Sequence, residues 1–195
     1  MSFIWERRLI MAIKVVTDST SDLDAAIAED LGITIVPLNV HFGETVFKDG
    51  IDLNTDQFFD KLINGNVFPS TSQPSLGEFV DVYKEISQPG DVIISVHVSS
   101  KLSGTINSAQ QAANTLSGTV DVRIVDTQQV SMTVGLSAVG AAQAALEGKS
   151  VEECIAVAES VARRSNFFAL FDTLEYLEKG GRIGKARSLI GGLLK

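Results

Sequence analysis

An α/β fold, with helices wound on both faces of a mostly parallel sheet, is what this sequence predicts. Three observations carry that reading. Apolar runs of strand length alternate along the chain with stretches of helical periodicity, the signature of βαβ units. The run 92–98 (VIISVHV) is a strand apolar enough to be buried. Two helical stretches, 104–116 and 131–146, are rich in alanine and glycine, which lets a helix lie close against a sheet. Polar residues interrupt both too often for a transmembrane packing motif.

The elements follow in order. Residues 13–16 form a short strand ending at Thr17-Asp18-Ser19-Thr20, and a helix over 22–31 is closed by Gly32. A second strand spans 33–40, where Pro37 suits an edge or a strand end better than a centre. Asn54 or Thr55 caps a helix over 56–64, and Gly65 ends it. Ser75-x-x-Glu78 is a capping box that opens a helix over 76–87 after the loop 70–75. Pro89-Gly90-Asp91 makes a turn into the buried strand. Beyond the helix 104–116 comes a strand over 120–125, then a long helix running to Leu146 and closed by Gly148. Ser150-x-x-Glu153 is a second capping box, opening a helix over 151–164. A strand over 167–171 and a short helix, capped by Asp172 or Thr173 and broken by Gly180-Gly181, complete the pattern.

A boundary near Gly148 divides these elements. The doubly wound domain covers 11–148, an incomplete second α/β domain covers 149–195, and residues 1–10 are an extension before Met11. That extension is not a signal peptide, because Glu6, Arg7 and Arg8 interrupt its apolar stretch.

Composition excludes several function classes. With 45% hydrophobic and 21% charged residues the 195-residue chain is neither disordered nor collagen-like. No apolar run reaches the ~20 residues of a bilayer crossing. The single cysteine, Cys154, forms no intrachain disulfide, which fits a cytoplasmic protein. A net charge of −8 argues against nucleic acid as a partner. The charge is uneven: residues 163–195 hold seven basic and three acidic side chains, and residues 1–162 hold nine and 21.

In open α/β sheets ligands bind at the carboxyl ends of the strands. Here those ends carry hydroxyl-rich or polar loops: 17–21, 99–105 and 126–129. The loop 70–75 (STSQPS) also opens onto a helix start. Hydroxyls and free N–H groups at two helix starts can converge on one carboxylate or phosphate, although Ser and Thr there ordinarily serve as caps. Ser103-Gly104-Thr105 is the less ordinary loop, because Gly104 removes a side chain where a ligand meets the backbone.

Catalytic motifs fail inspection. Gly148-Lys149-Ser150 lacks the first glycine of a P-loop, position 143 being Gln143, and no G-x-S-x-G or G-x-G-x-x-G occurs. A serine hydrolase would need His97 or His41 as base for Ser103. His97 shares a strand face with Ser95 and reads as a hydrogen-bonded core histidine. One cysteine and two scattered histidines make no metal site. The residues favour a binder over a catalyst, with no cofactor. The basic segment Lys179-Gly180-Gly181-Arg182-Ile183-Gly184-Lys185-Ala186-Arg187 is a solvated helix face with a glycine break, an arginine placed beside an anionic ligand, or a docking patch for an acidic partner.

Five ordered motifs then match a known family. V-T-D-S-T-S-D-L (16–23), D-G-I-D-L (49–53), T-S-Q-P-S (71–75), L-S-G-T-I-N-S-A (102–109) and Y-L-E-K-G-G-R-I-G (176–184) resemble the DegV family of fatty-acid-binding proteins. The resemblance implies one long-chain fatty acid held in a tunnel between two domains. The family's threonine and serine ligands of the carboxylate fall on Thr71 and Ser103, supported by Ser72 and Gly104. It also implies a partner, the ATP-using subunit of a fatty acid kinase that makes the acyl phosphate, and it admits transient contact with a membrane. Arg182 is similar to a family arginine linked to kinase docking or phosphate handling. Members continue beyond G-G-L-L, so the resemblance implies a C-terminally truncated chain. Two alternatives remain beside it: a Ser-based small-molecule hydrolase, and a protein-interaction module using the basic C-terminal segment.

Overall fold

The computed structural model describes residues 12–184. In chain order its elements are β1 (Ile13–Asp18), a 3₁₀ turn (Ser19–Ser21), α1 (Ala25–Asp30), β2 (Ile33–Val36), β3 (Asn39–Phe42), β4 (Thr45–Lys48), α2 (Thr55–Asn64) and β5 (Ser70–Ser72). There follow α3 (Leu76–Ile86), β6 (Val92–His97), α4 (Thr105–Thr115), β7 (Asp121–Asp126), α5 (Met132–Leu146), α6 (Val151–Arg164) and α7 (Glu175–Lys179).

The larger sheet has the order β2-β1-β6-β7, and all its pairings are parallel. Alternation along the strands divides the core in two. Val15, Ile94 and Val96 pack on one face with Ala138, Ala141, Ala142, Cys154 and Ala158 of α5 and α6. Val16 and Ile93 pack on the other with Phe79 and Tyr83 of α3 and Ala109 and Ala112 of α4. This is the predicted doubly wound sheet. The small residues of α5 let it approach closely: a Cβ at Gly140 would lie 3.1 Å from Val161 and 3.2 Å from Val157 of α6.

A second, antiparallel sheet of order β4-β3-β5 inserts between β2 and α3. It corrects two expectations. Residues 33–40 are two strands in different sheets, because Pro37 lacks the N–H needed to continue the ladder. Residues 70–72 are a strand, paired as Val40 with Thr71 and Asn39 with Ser72. The predicted helix over 22–31 begins only at Ala25, with Asp24 accepting from Ala26 N–H as its cap.

The predicted strand over 167–171 is also absent, since a strand needs a partner and none of the described strands pairs with it. Its apolar side chains stand in solvent, with Phe168 88% and Leu170 98% exposed. Helix α6, assigned from the sequence to a second domain, instead buries Val151, Cys154 and Ala158 in the core of the first. The boundary at 148 therefore falls within the α5–α6 layer and not between two packed bodies. Residues 1–10 and the basic Lys185 and Arg187 lie outside the described residues.

Candidate functional site

Two loops define the candidate site. The strand order reverses between β1 and β6, so the crevice at their carboxyl ends is the topological switch point, where such sheets bind ligands. The loop 99–104 leaves β6 at that point. The small sheet starts from the same edge: Leu38 N–H donates to Ser19 Oγ at 3.0 Å, and the chain returns through β5 to the start of α3.

Ser103 and Gly104 sit half-buried at the start of α4. Ser103 Oγ lies 2.8 Å from Thr105 Oγ1 and accepts from Thr105 N–H at 3.3 Å. Gly104 is the N-cap residue and supplies no side-chain cap. Among the described residues only the Thr105 N–H of the first turn is met by a neighbouring side chain, Ser103, and the positive end of α4 stays open beyond it.

On β5 the expected residues separate. Ser72 Oγ lies 2.9 Å from His41 Nε2, on the face that also carries Asn39. Lys48 on β4 donates to Asn39 at 2.7 Å and pairs with Glu78, the residue that completes the α3 capping box. Adjacent strand residues point to opposite faces, so Thr71 projects away from this network and is exposed. Thr71 and Ser72 thus face opposite sides of the small sheet, Ser72 on His41 and Thr71 away from it.

The two loops meet through a residue that sequence reasoning passed over. Gln73 lays its carboxamide on Gly104, where an added Cβ would stand 2.8 Å from Nε2. No local pattern reveals this, because the contact joins segments distant in the chain. Arg182 is placed elsewhere: its guanidinium donates to Gly180 O at 2.7 Å, within the turn that ends α7. Tyr176 of that helix stacks on Phe68, just before β5, with ring centroids 5.8 Å apart.

A buried polar chain lies beneath the switch point. His97 Nδ1 is 2.8 Å from Asp18 Oδ2, and His97 Nε2 is 2.6 Å from Ser95 Oγ, which is 2.8 Å from Tyr83 OH. Each of these residues is fully buried on the α3/α4 face. Burial pushes the Asp18 carboxyl upward, but the His97 contact, the Thr20 hydroxyl and Val98 N–H outweigh it and hold the group below the usual carboxylate range. Burial raises the Tyr83 phenol well above its ordinary value despite the Ser95 contact. The order Asp–His–Ser imitates a catalytic triad, yet it is sealed in the core. His97 is the satisfied core histidine the strand pattern predicts. Neither histidine is hydrogen-bonded to Ser103: His97 meets Ser95 and His41 meets Ser72.

The family model for DegV matches residues 12–195. The chain belongs to the DegV family. Among DegV relatives, a DegV domain-containing protein of Deinococcus radiodurans is 41% identical over 94% of this chain and 65% of its own length. The DegV fatty acid binding protein of Bacillus subtilis is similar in structure, with a TM-score of 0.83 at 34% identity, over 95% of this chain and 66% of that one. A DegV protein of Thermus thermophilus, described for fatty acid binding, gives 0.79 at 39% identity over 95% and 65%. The chain thus spans about 65% of the length of the curated DegV relatives it matches. Among the described residues no helix is long and apolar enough to cross a membrane.

Proposed function

We propose that this chain binds a long-chain fatty acid, with the carboxylate held between Thr71 and the start of α4 at Ser103 and Gly104. The observation that carries the reading is the seating of Gln73 on Gly104, which brings the two hydroxyl-bearing loops into contact. Neutral hydroxyls and helix-start N–H groups suit a carboxylate, because they satisfy its charge without leaving a buried cation unpaired when the site empties. Affinity then comes from the acyl tail, at roughly 0.8 kcal/mol per buried methylene. The DegV proteins of Bacillus subtilis and Thermus thermophilus, described as binding fatty acids, support the ligand class.

The chain performs no chemistry of its own in this reading. A separate ATP-using kinase transfers the γ-phosphoryl group to the bound carboxylate oxygen, releasing ADP and acyl phosphate. Arg182, on the turn after α7, belongs to the docking side of that exchange.

The test is lipid extraction of the purified chain followed by mass spectrometry, with palmitate titrated into delipidated protein. A long-chain fatty acid in the extract is expected. Thr71→Ala and Ser103→Ala should each weaken palmitate about tenfold, the size of one hydrogen bond to a charged group. A lipid-free extract together with no palmitate binding refutes the reading. For the partner, Arg182→Glu should lower acyl phosphate formation by an added fatty acid kinase while palmitate affinity stays unchanged. An unchanged yield removes Arg182 from docking.

A further inference from the structure

Gly104 has φ −79° and ψ 3°, a backbone conformation open to any residue. Its conformation therefore does not demand glycine; what a side chain there would meet is Gln73. A Cβ at 104 would lie 2.8 Å from Gln73 Nε2, 2.9 Å from Cδ and 3.2 Å from Oε1, so the whole carboxamide covers the Cα. Gln73 reaches across from the loop that follows β5, and buried Pro74 anchors the backbone beside it. That anchoring matters because β5 is a three-residue edge strand, paired on one side only. Such a short edge has few bonds to fix where its end points, and Thr71 lies on it.

We propose that the Gln73 carboxamide is a positioning group that locks the β5–α3 loop onto the start of α4, with Gly104 as the seat that admits it. The lock sets the spacing between the Thr71 and Ser103 hydroxyls, and so decides how well an anionic head group is held. Donors on separate segments must be kept within about 0.5 Å of the productive geometry to act together. Gln73 is a positioning residue here, acting through Thr71 and Ser103. The carboxamide is the far end of a flexible side chain, so a methyl at 104 displaces Gln73 and leaves the backbone in place. Gly104→Ala therefore opens the lock without unfolding α4.

The ligand in this inference rests on the fatty acid reading, whereas the contact is between two residues of the chain itself, so the experiment reads both. Gln73→Ala, Gly104→Ala and the double variant of the 195-residue chain are compared by amide hydrogen exchange without ligand and by titration with palmitate and methyl palmitate. Each single variant should speed exchange over residues 103–106 and weaken palmitate about tenfold, with methyl palmitate affected far less. The double variant should match Gln73→Ala, because the alanine at 104 acts only through Gln73. Losses that add in the double variant overturn the lock, as does Gln73→Ala with wild-type exchange. Gln73 is exposed, so its alanine variant keeps the test valid even where Gly104→Ala folds poorly. Altered exchange in a chain that binds no palmitate supports the lock and refutes the fatty acid reading alone.

Discussion

At Asp18, burial and hydrogen bonding act in opposite directions. Removal from water penalises the charged carboxylate, while His97, Thr20 and Val98 N–H stabilise it, and the second group wins. The sign of the pH dependence follows. A carboxyl held lower in the folded than in the unfolded chain contributes stability that is complete above its unfolded value of about 3.9. That contribution is lost as pH falls through the depressed folded value. Asp18→Asn should therefore lower unfolding free energy by about 2–3 kcal/mol at neutral pH. The gap from wild type should narrow below about pH 4. Urea unfolding across pH 3–7 measures this, and a constant gap would place the effect outside Asp18 ionisation. His97 itself was legible as a core residue from its place beside Ser95 on an apolar strand. Its bond to Asp18 was not, because nothing local ties the end of β1 to the end of β6.

Among elements, the helix starts marked by capping boxes were readable because such caps are local, whereas α1 starts at Ala25 and the N-cap of α7 is Leu174, not Asp172 or Thr173. The Ser75–Glu78 and Ser150–Glu153 boxes form with both reciprocal bonds, as their spacing implies. Ser150→Ala should cost about 1 kcal/mol in thermal or urea unfolding, the usual loss for one cap. Glycine positions in α5 carry a different load. A Cβ at Gly135 would stand 2.7 Å from Ser21 O, a backbone atom that cannot swing away. Gly135→Ala is thus expected to destabilise by about 1–3 kcal/mol, measured as a lowered urea midpoint. A variant as stable as wild type would mean that the 3₁₀ turn yields freely. Strands were read less well than helices. β5 consists of Ser70, Thr71 and Ser72 and has no apolar signature, so only its pairing with β3 makes it a strand. Residues 167–171 are the reverse case, apolar enough to suggest a strand but without a described partner.

Across the molecule, both core clusters of described residues are complete by Ala158, with Ala162 buried at the end of α6. Ending the chain after Ser165 should therefore preserve a single cooperative unfolding transition by circular dichroism. It also removes Tyr176, which stacks on Phe68 beside β5. A chain that loses cooperativity on this cut would show that the region after α6 supports the core. The doubly wound class, the capped helices and the hydroxyl loops at the strand ends are written in periodicity and short spacing, which act over one or two turns of chain. The five motifs likewise carry the family, because each is contiguous. Tertiary structure alone decided that β3–β5 form a separate sheet, that Ser72 turns to His41 and away from Thr71, and that Gln73 rests on Gly104. Those outcomes depend on which distant segments come into contact, and strand register and loop packing are settled only when the whole core closes around them.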